Sequence, residues 1–219
     1  MVNYVIPDMK KKYALLGNIK TRCYKENYQK KNPTYQGCYV CREWLKDSKT
    51  FYQWVDENYY IIDKLSRRCI HIDKDILVPG NLVYSPETCL FVPAEMNSFV
   101  ATLKKPDSPL PPGVYQREEG KYTPYTYICG KKHFFGTYPT VEKAFEIYKS
   151  FKAEECLRIS DKYKDFVPEK VTEGFIQWAD IIQALTVENY EMILAKKDCE
   201  IPEECKNGIR PYNRHIIVA

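Results

Sequence analysis

Four prolines fall within the nine residues 104–112, KKPDSPLPP. Each fixes its own φ, lacks an N–H and restricts the residue before it, so neither a helix nor an inner strand runs through this stretch. It reads as an extended linker that divides a chain of 219 residues near its middle. Each side is long enough for one small domain. The spacing therefore predicts a unit over 1–103, a linker over 104–112, and a second part over 113–219.

Apolar residues make up 44% and charged residues 28%, a globular balance. No run approaches the roughly 20 apolar residues that span a bilayer, so no membrane segment is expected. The opening MVNYVIPDMKKKYALLGNIK lacks the order of a secretory signal. The nine cysteines are scattered and odd in number, which predicts reduced thiols in a cytoplasmic protein. Net charge is only +4, yet residues 1–49 carry 11 Lys and Arg against 4 Asp and Glu. Tyrosines interleave this basic arm, and cations beside planar rings suit a phosphate backbone; a solvated helix face is the bland alternative.

Apolar periodicity predicts a helix over 9–29 and a second helical region over 43–60, broken near Asp47. Residues 69–77, CIHIDKDIL, alternate as a strand with His71, Asp73 and Asp75 on one side. Pro79-Gly80-Asn81 marks a turn, Asn81–Tyr84 a second strand, and Ser85-Pro86-Glu87 a capped helix start; a further short helix can follow Pro93. After the linker, strands are expected at 113–117, 121–128 and 132–138, with turns at Glu119-Gly120 and Cys129-Gly130. Thr140 caps a helix, Pro168 interrupts it, and VTEGFIQWADIIQAL continues as another before an irregular tail. The fold class is α+β.

The segment CIHIDKDILVPGNLVYSPETCLFVPAEMN resembles the core of HNH endonucleases of the phage homing type. The resemblance extends over most of residues 9–99 and implies a ββα-metal site in a phage-encoded protein of the bacterial cytoplasm. It places Asp73 as the metal carboxylate, Asn97 as the helix ligand, Lys74 where the general-base histidine belongs, and Thr88 where the central asparagine belongs. Asp75 is a further metal ligand on this reading, and the ion is Mg²⁺ or another divalent metal. Lysine has an ordinary pKa near 10.4, so a base role at neutral pH needs it lowered by roughly 3 pH units. His71 is a second catalytic or ligand candidate, or simply a half-exposed strand residue. Cys38 and Cys41 form a CxxC with Cys69 and Cys89 as further thiols; buried apolar packing is the default, and structural zinc is not expected.

Residues 113–157 resemble the plant ethylene-response-factor (Apetala-type) DNA-binding domain. Gly113-Val114-Tyr115, Lys121-Tyr122, Gly130-Lys131-Lys132, Phe135-Gly136-Thr137-Tyr138 and Glu142–Tyr148 carry the match. The resemblance implies a sheet-plus-helix module over 113–160, with 161–219 as a helical extension and tail. Tyr125 and Tyr127 stand where that family has arginines, and Pro124 where it has a small residue. Arg117, Lys121, Lys131 and Lys132, with Lys11, Lys12, Lys20 and Arg22 of the N-terminal helix, form the expected contact set for double-stranded DNA.

Two functions from different classes follow. One is a metal-dependent DNA endonuclease. The other is a catalytically degenerate binder, for instance a phage inhibitor whose partner is a host defence protein.

Overall fold

The computed structural model describes residues 1–63, 69–103, 109–128, 131–195 and 201–206. Its first half runs β1 (Asn3–Tyr4), α1 (Met9–Tyr24), α2 (Glu26–Lys31), a 3₁₀ turn (Pro33–Tyr35), β2 (Tyr39–Val40), α3 (Arg42–Lys46), α4 (Ser48–Asn58), β3 (Tyr60–Ile61), β4 (Ile70–Asp73), β5 (Val83–Tyr84), β6 (Leu90–Pro93) and α5 (Ala94–Ala101). The second runs β7 (Val114–Glu118), β8 (Lys121–Ile128), β9 (Lys131–Phe134), α6 (Val141–Tyr163), α7 (Glu169–Ala184), α8 (Tyr190–Leu194) and α9 (Glu203–Lys206). The class is α+β, as the sequence pattern predicts. Among the described residues no helix is long and apolar enough to cross a membrane.

Local chemistry sets the helix ends. The Asp8 carboxylate accepts the Lys11 N–H at 2.7 Å and caps α1. Asp47 accepts the Lys49 N–H at 2.9 Å, which ends α3 and starts α4 at the break read from the sequence. Thr140 accepts the Lys143 N–H and caps α6. The predicted helix over 9–29 stops at Tyr24, because Lys25 is extended.

The strand pairing differs from expectation. β4 pairs antiparallel with β6, Asp73 opposite Leu90 and Ile70 opposite Pro93, and α5 follows β6 at once. β5 instead pairs in parallel with β2. Ser85 starts no helix: its carbonyl accepts the N–H groups of Thr88 and Cys89, closing a turn. The run Leu90-Phe91-Val92 then forms a strand buried on both faces, which suits a continuous apolar segment.

In the second half β7, β8 and β9 form an antiparallel sheet with β8 central. Pro124 lies in that central strand opposite Val114, and its carbonyl accepts the Phe135 N–H at 2.9 Å. The missing donor thus falls where pairing with β7 ends, and Tyr125 N–H reaches Gly113 O instead. The expected strand over 132–138 is shorter; Tyr138 returns only to bridge Tyr122. The predicted Cys129-Gly130 turn, residues 104–108 of the linker and the tail from 207 lie outside the described residues.

Two hydrophobic cores form, and one helix enters both. α6 has 23 residues, roughly 35 Å at about 1.5 Å per residue. Its first half packs Ala144, Phe145 and Tyr148 with Val114, Leu185 and Tyr190 under the sheet. Its second half adds Ala153, Cys156, Ile159 and Tyr163 to the core of the first half of the chain, joined by Phe175, Trp178 and Ile182 of α7. One helix therefore belongs to both parts, and residues 161–184 are core rather than extension.

Two glycines mark close approaches. Gly113 has φ +72°, and a Cβ there would sit 2.0 Å from the Tyr148 ring, so the sheet docks on α6 at that point. A Cβ on Gly174 of α7 would meet Ile76 Cγ2 at 2.8 Å, whereas Gly17 of α1 has open space. Gly17→Ala should stabilise the protein by about 0.5–1 kcal/mol, because only helix propensity changes. Gly174→Ala should destabilise by about 1–2 kcal/mol despite the same gain, because Ile76 is buried and cannot give way freely. Urea unfolding of the two variants checks the opposite signs.

Candidate functional site

β4 ends at Asp73 because the chain turns around its side chain. Asp73 Oδ1 accepts the N–H groups of Asp75 and Ile76, both at 2.8 Å. The expected strand over 69–77 therefore stops four residues early, and Asp75 leaves the strand face that His71 and Asp73 share. The loop that follows is closed across its base. Asn81 Nδ2 donates to Lys74 O at 2.8 Å and Val83 O at 2.7 Å, and Asn81 Oδ1 accepts the Val83 N–H at 3.1 Å. Lys74 Nζ donates to Asp75 Oδ1 at 2.7 Å and to Asn81 O. From α7, Trp178 Nε1 donates to Ile76 O at 3.1 Å and pins the far side.

Asn81 was legible only as a turn signal. The structure makes it the amide that holds the loop. Thr88 donates its hydroxyl to Val83 O at 2.8 Å.

Asn97 projects from α5, with Nδ2 3.4 Å from Nδ1 of His71 on β4. Asp73, Lys74, Asp75 and Asn97 line one cleft of about 70 Å³ together with Arg22, Tyr35 and Tyr84. The space suits an ion with several waters, not a nucleotide. Asp73 is 7% exposed. Burial first, and the nearby Asp75 charge second, push its pKa up to about 6, against the two backbone N–H groups that favour the anion. Burial opposes the charge of Arg22 too, but Tyr84 and Tyr35 beside it hold its pKa above the ordinary value.

Lys74, the candidate proton acceptor, donates from its ammonium to Asp75 and to Asn81 O. It is 5% exposed, and although burial favours the neutral amine, the Asp75 carboxylate outweighs it and raises the pKa. Lys74 is held as a cation with its ammonium already donating. One Asp75 oxygen faces that ammonium at 2.7 Å.

Among the described residues no group of three or more His, Cys, Asp or Glu side chains is placed to hold a metal. A Mg²⁺ ion that keeps most of its waters needs only one or two protein oxygens. Asp73 and Asn97 lining the same cleft meet that smaller requirement. With Asn97 Nδ2 donating to His71, the amide oxygen is the end turned elsewhere. Cys38 and Cys89 are buried, and Cys41 and Cys69 half-buried, with no disulfide among these four.

The expected DNA-contact residues separate into two groups. Lys12 is corrected: it is 6% exposed, with Nζ 2.5 Å from the Asp56 carboxylate of α4. Arg22 faces the cleft, and Lys20 is half-buried, which lowers its pKa. Lys11 lies over the Tyr59 ring, 5.6 Å from its centroid. Arg117, Lys131 and Lys132 are exposed on the sheet, and Lys121 is exposed but paired with Glu118 at 2.7 Å. No family model, curated protein or solved structure matches this chain.

Lys12→Ala should cost about 1–3 kcal/mol of stability, because it strands a partly buried Asp56 carboxylate. Chemical denaturation at low and high salt measures it. A loss under about 0.5 kcal/mol would place the pair among ordinary surface ion pairs.

Proposed function

We propose that this chain is a DNA-binding protein of the HNH nuclease type that hydrolyses a phosphodiester at the Asp73–Asn97 cleft with a divalent ion. The observation that carries the reading is the cleft itself. A carboxylate at the end of the first hairpin strand and an amide on the following helix line one ion-sized space, beside Arg22 and Lys74. The resemblance of residues 69–97 to the HNH core supports the same reading.

Asp73 and Asn97 would hold the ion, with His71 orienting the amide. The ion, when bound, would polarise the scissile phosphate and stabilise the leaving oxygen. Arg22 and Lys74 would take phosphate oxygens, since both stay cationic. Asp75, held by Lys74, is the carboxylate placed to take the proton of the attacking water. Lys74 then acts as a positioning residue and phosphate partner. Exposed Arg117, Lys131 and Lys132 on the sheet would add backbone contacts.

A specific observation favours a second reading. The Lys74–Asp75 pair is already complete inside the cleft, as expected of a binder that no longer cuts. Such a protein would occupy DNA or a host defence protein.

Plasmid nicking across Mg²⁺ and Mn²⁺ separates the two. Asp73→Ala and Asn97→Ala should abolish nicking. Asp75→Asn should slow it by about 10²–10⁴-fold, the worth of a general base. Duplex binding should survive all three and weaken steeply with salt. No nicking by the wild type with either ion, together with DNA binding indifferent to Asp73→Ala, would transfer the assignment to the binder.

A further inference from the structure

The register of β8 places Tyr125 opposite Phe134 and Tyr127 opposite Lys132, while Tyr115 of β7 lies opposite Thr123. Directly paired residues share a face, so these side chains stand together on the side of the sheet away from α6. Large rings on that face meet solvent: Tyr115 is 47% exposed, Tyr127 56% and Phe134 55%. The Lys132 ammonium sits among them, 3.8 Å from the Tyr125 centroid and 5.2 Å from that of Phe134. Beside it, Tyr115, Arg117, Thr123, Phe134, Gly136 and Thr137 line an open cleft of about 430 Å³. The two threonine hydroxyls at its floor lie 3.1 Å apart.

A duplex offers base edges and phosphates, and a face that reads it needs donors more than rings. Exposed rings gain most from base faces, which are available only when bases are unstacked. Arg117 and Lys132 supply the positive charge that a phosphate backbone requires, and the nearby Glu118 is already neutralised by Lys121. The geometry points to single-stranded nucleic acid as the occupant of this sheet face. Bases stack on Tyr115, Tyr127 and Phe134, one base edge meets the threonine hydroxyls of the cleft, and Arg117 and Lys132 hold phosphates. This inference deepens the DNA-binding reading but uses none of the residues of the Asp73 cleft.

The test uses the full chain and fluorescence anisotropy with labelled oligothymidylate, oligouridylate and a duplex of equal length. Single strands should bind more tightly than the duplex, and the ratio of the first two probes distinguishes DNA from RNA as the source. Tyr127→Ala and Phe134→Ala should each weaken single-strand binding by about 5- to 150-fold, the worth of one stacked base. Tyr127→Phe should restore affinity close to wild type, since the ring is what matters. Lys132→Ala should flatten the salt dependence. Failure to bind either single strand would overturn the proposal, as would ring truncations that leave affinity unchanged or a preference for duplex. Plasmid nicking, which depends on Asp73, reads the other proposal separately.

Discussion

The Asp73 carboxylate accepting the backbone N–H groups of Asp75 and Ile76 is the constraint on which the cleft depends. It ends β4, turns the chain, and so decides which side chains face Asn97. It also carries a cost. A buried carboxylate beside a second acid favours protonation, and the two N–H donors offset only part of that. The loop accommodates the excess negative charge by burying Lys74 against Asp75 and Asn81. Strand end, ion pair and amide clasp are thus one coupled network. Removing any member leaves another buried polar group without its partner.

That network is held from outside by the second half of the chain. Trp178 bonds the carbonyl of Ile76, and the bare Gly174 lets α7 reach the same residue. α7 is in turn packed along α6, where the Cys156 thiol donates to Phe175 O at 3.1 Å. Because α6 also underlies the three-stranded sheet, the sheet and the cleft are fixed to one rod. A ligand seated on the sheet and a phosphate at the cleft would therefore sit at a set spacing, without a hinge at the proline segment deciding it.

The helices were largely legible because their signals are local. Thr140 caps α6 and Asp47 breaks the second helical region where the sequence says they should, and the apolar stripes of α1, α4 and α7 bury as their spacing predicts. The strands were less so. Whether Val83 or Leu90 faces β4 is a question of long-range pairing, and both segments are short and apolar. The helix shared by the two cores was hidden for a related reason: the stripe of α6 continues unbroken, and nothing in its period says that the partner changes midway. Within the cleft, Asp73, Lys74 and Asn97 could be picked out by resemblance. Asn81 could not, because its work is backbone bonding that any turn asparagine might do.

Charge was the least transferable signal. The N-terminal arm counts as strongly basic, yet Lys12 neutralises Asp56 and Arg22 turns inward to Tyr84 and Tyr35. Further along, Lys149 is buried with its ammonium on the carbonyls of Gln183 and Leu185, where it caps the C-terminal end of α7. Lys152 lies buried over the Phe99 ring, its ammonium 2.7 Å from Glu155. These cations are structural, since each satisfies a carbonyl, a carboxylate or a ring inside the fold. A formal surplus of +4 therefore says little about the field outside. What a nucleic acid would meet is set by the cations left exposed, and on the sheet Arg117 and Lys132 stand among rings. Recognition by stacking asks for less charge than recognition of a duplex backbone, which is the balance this surface presents.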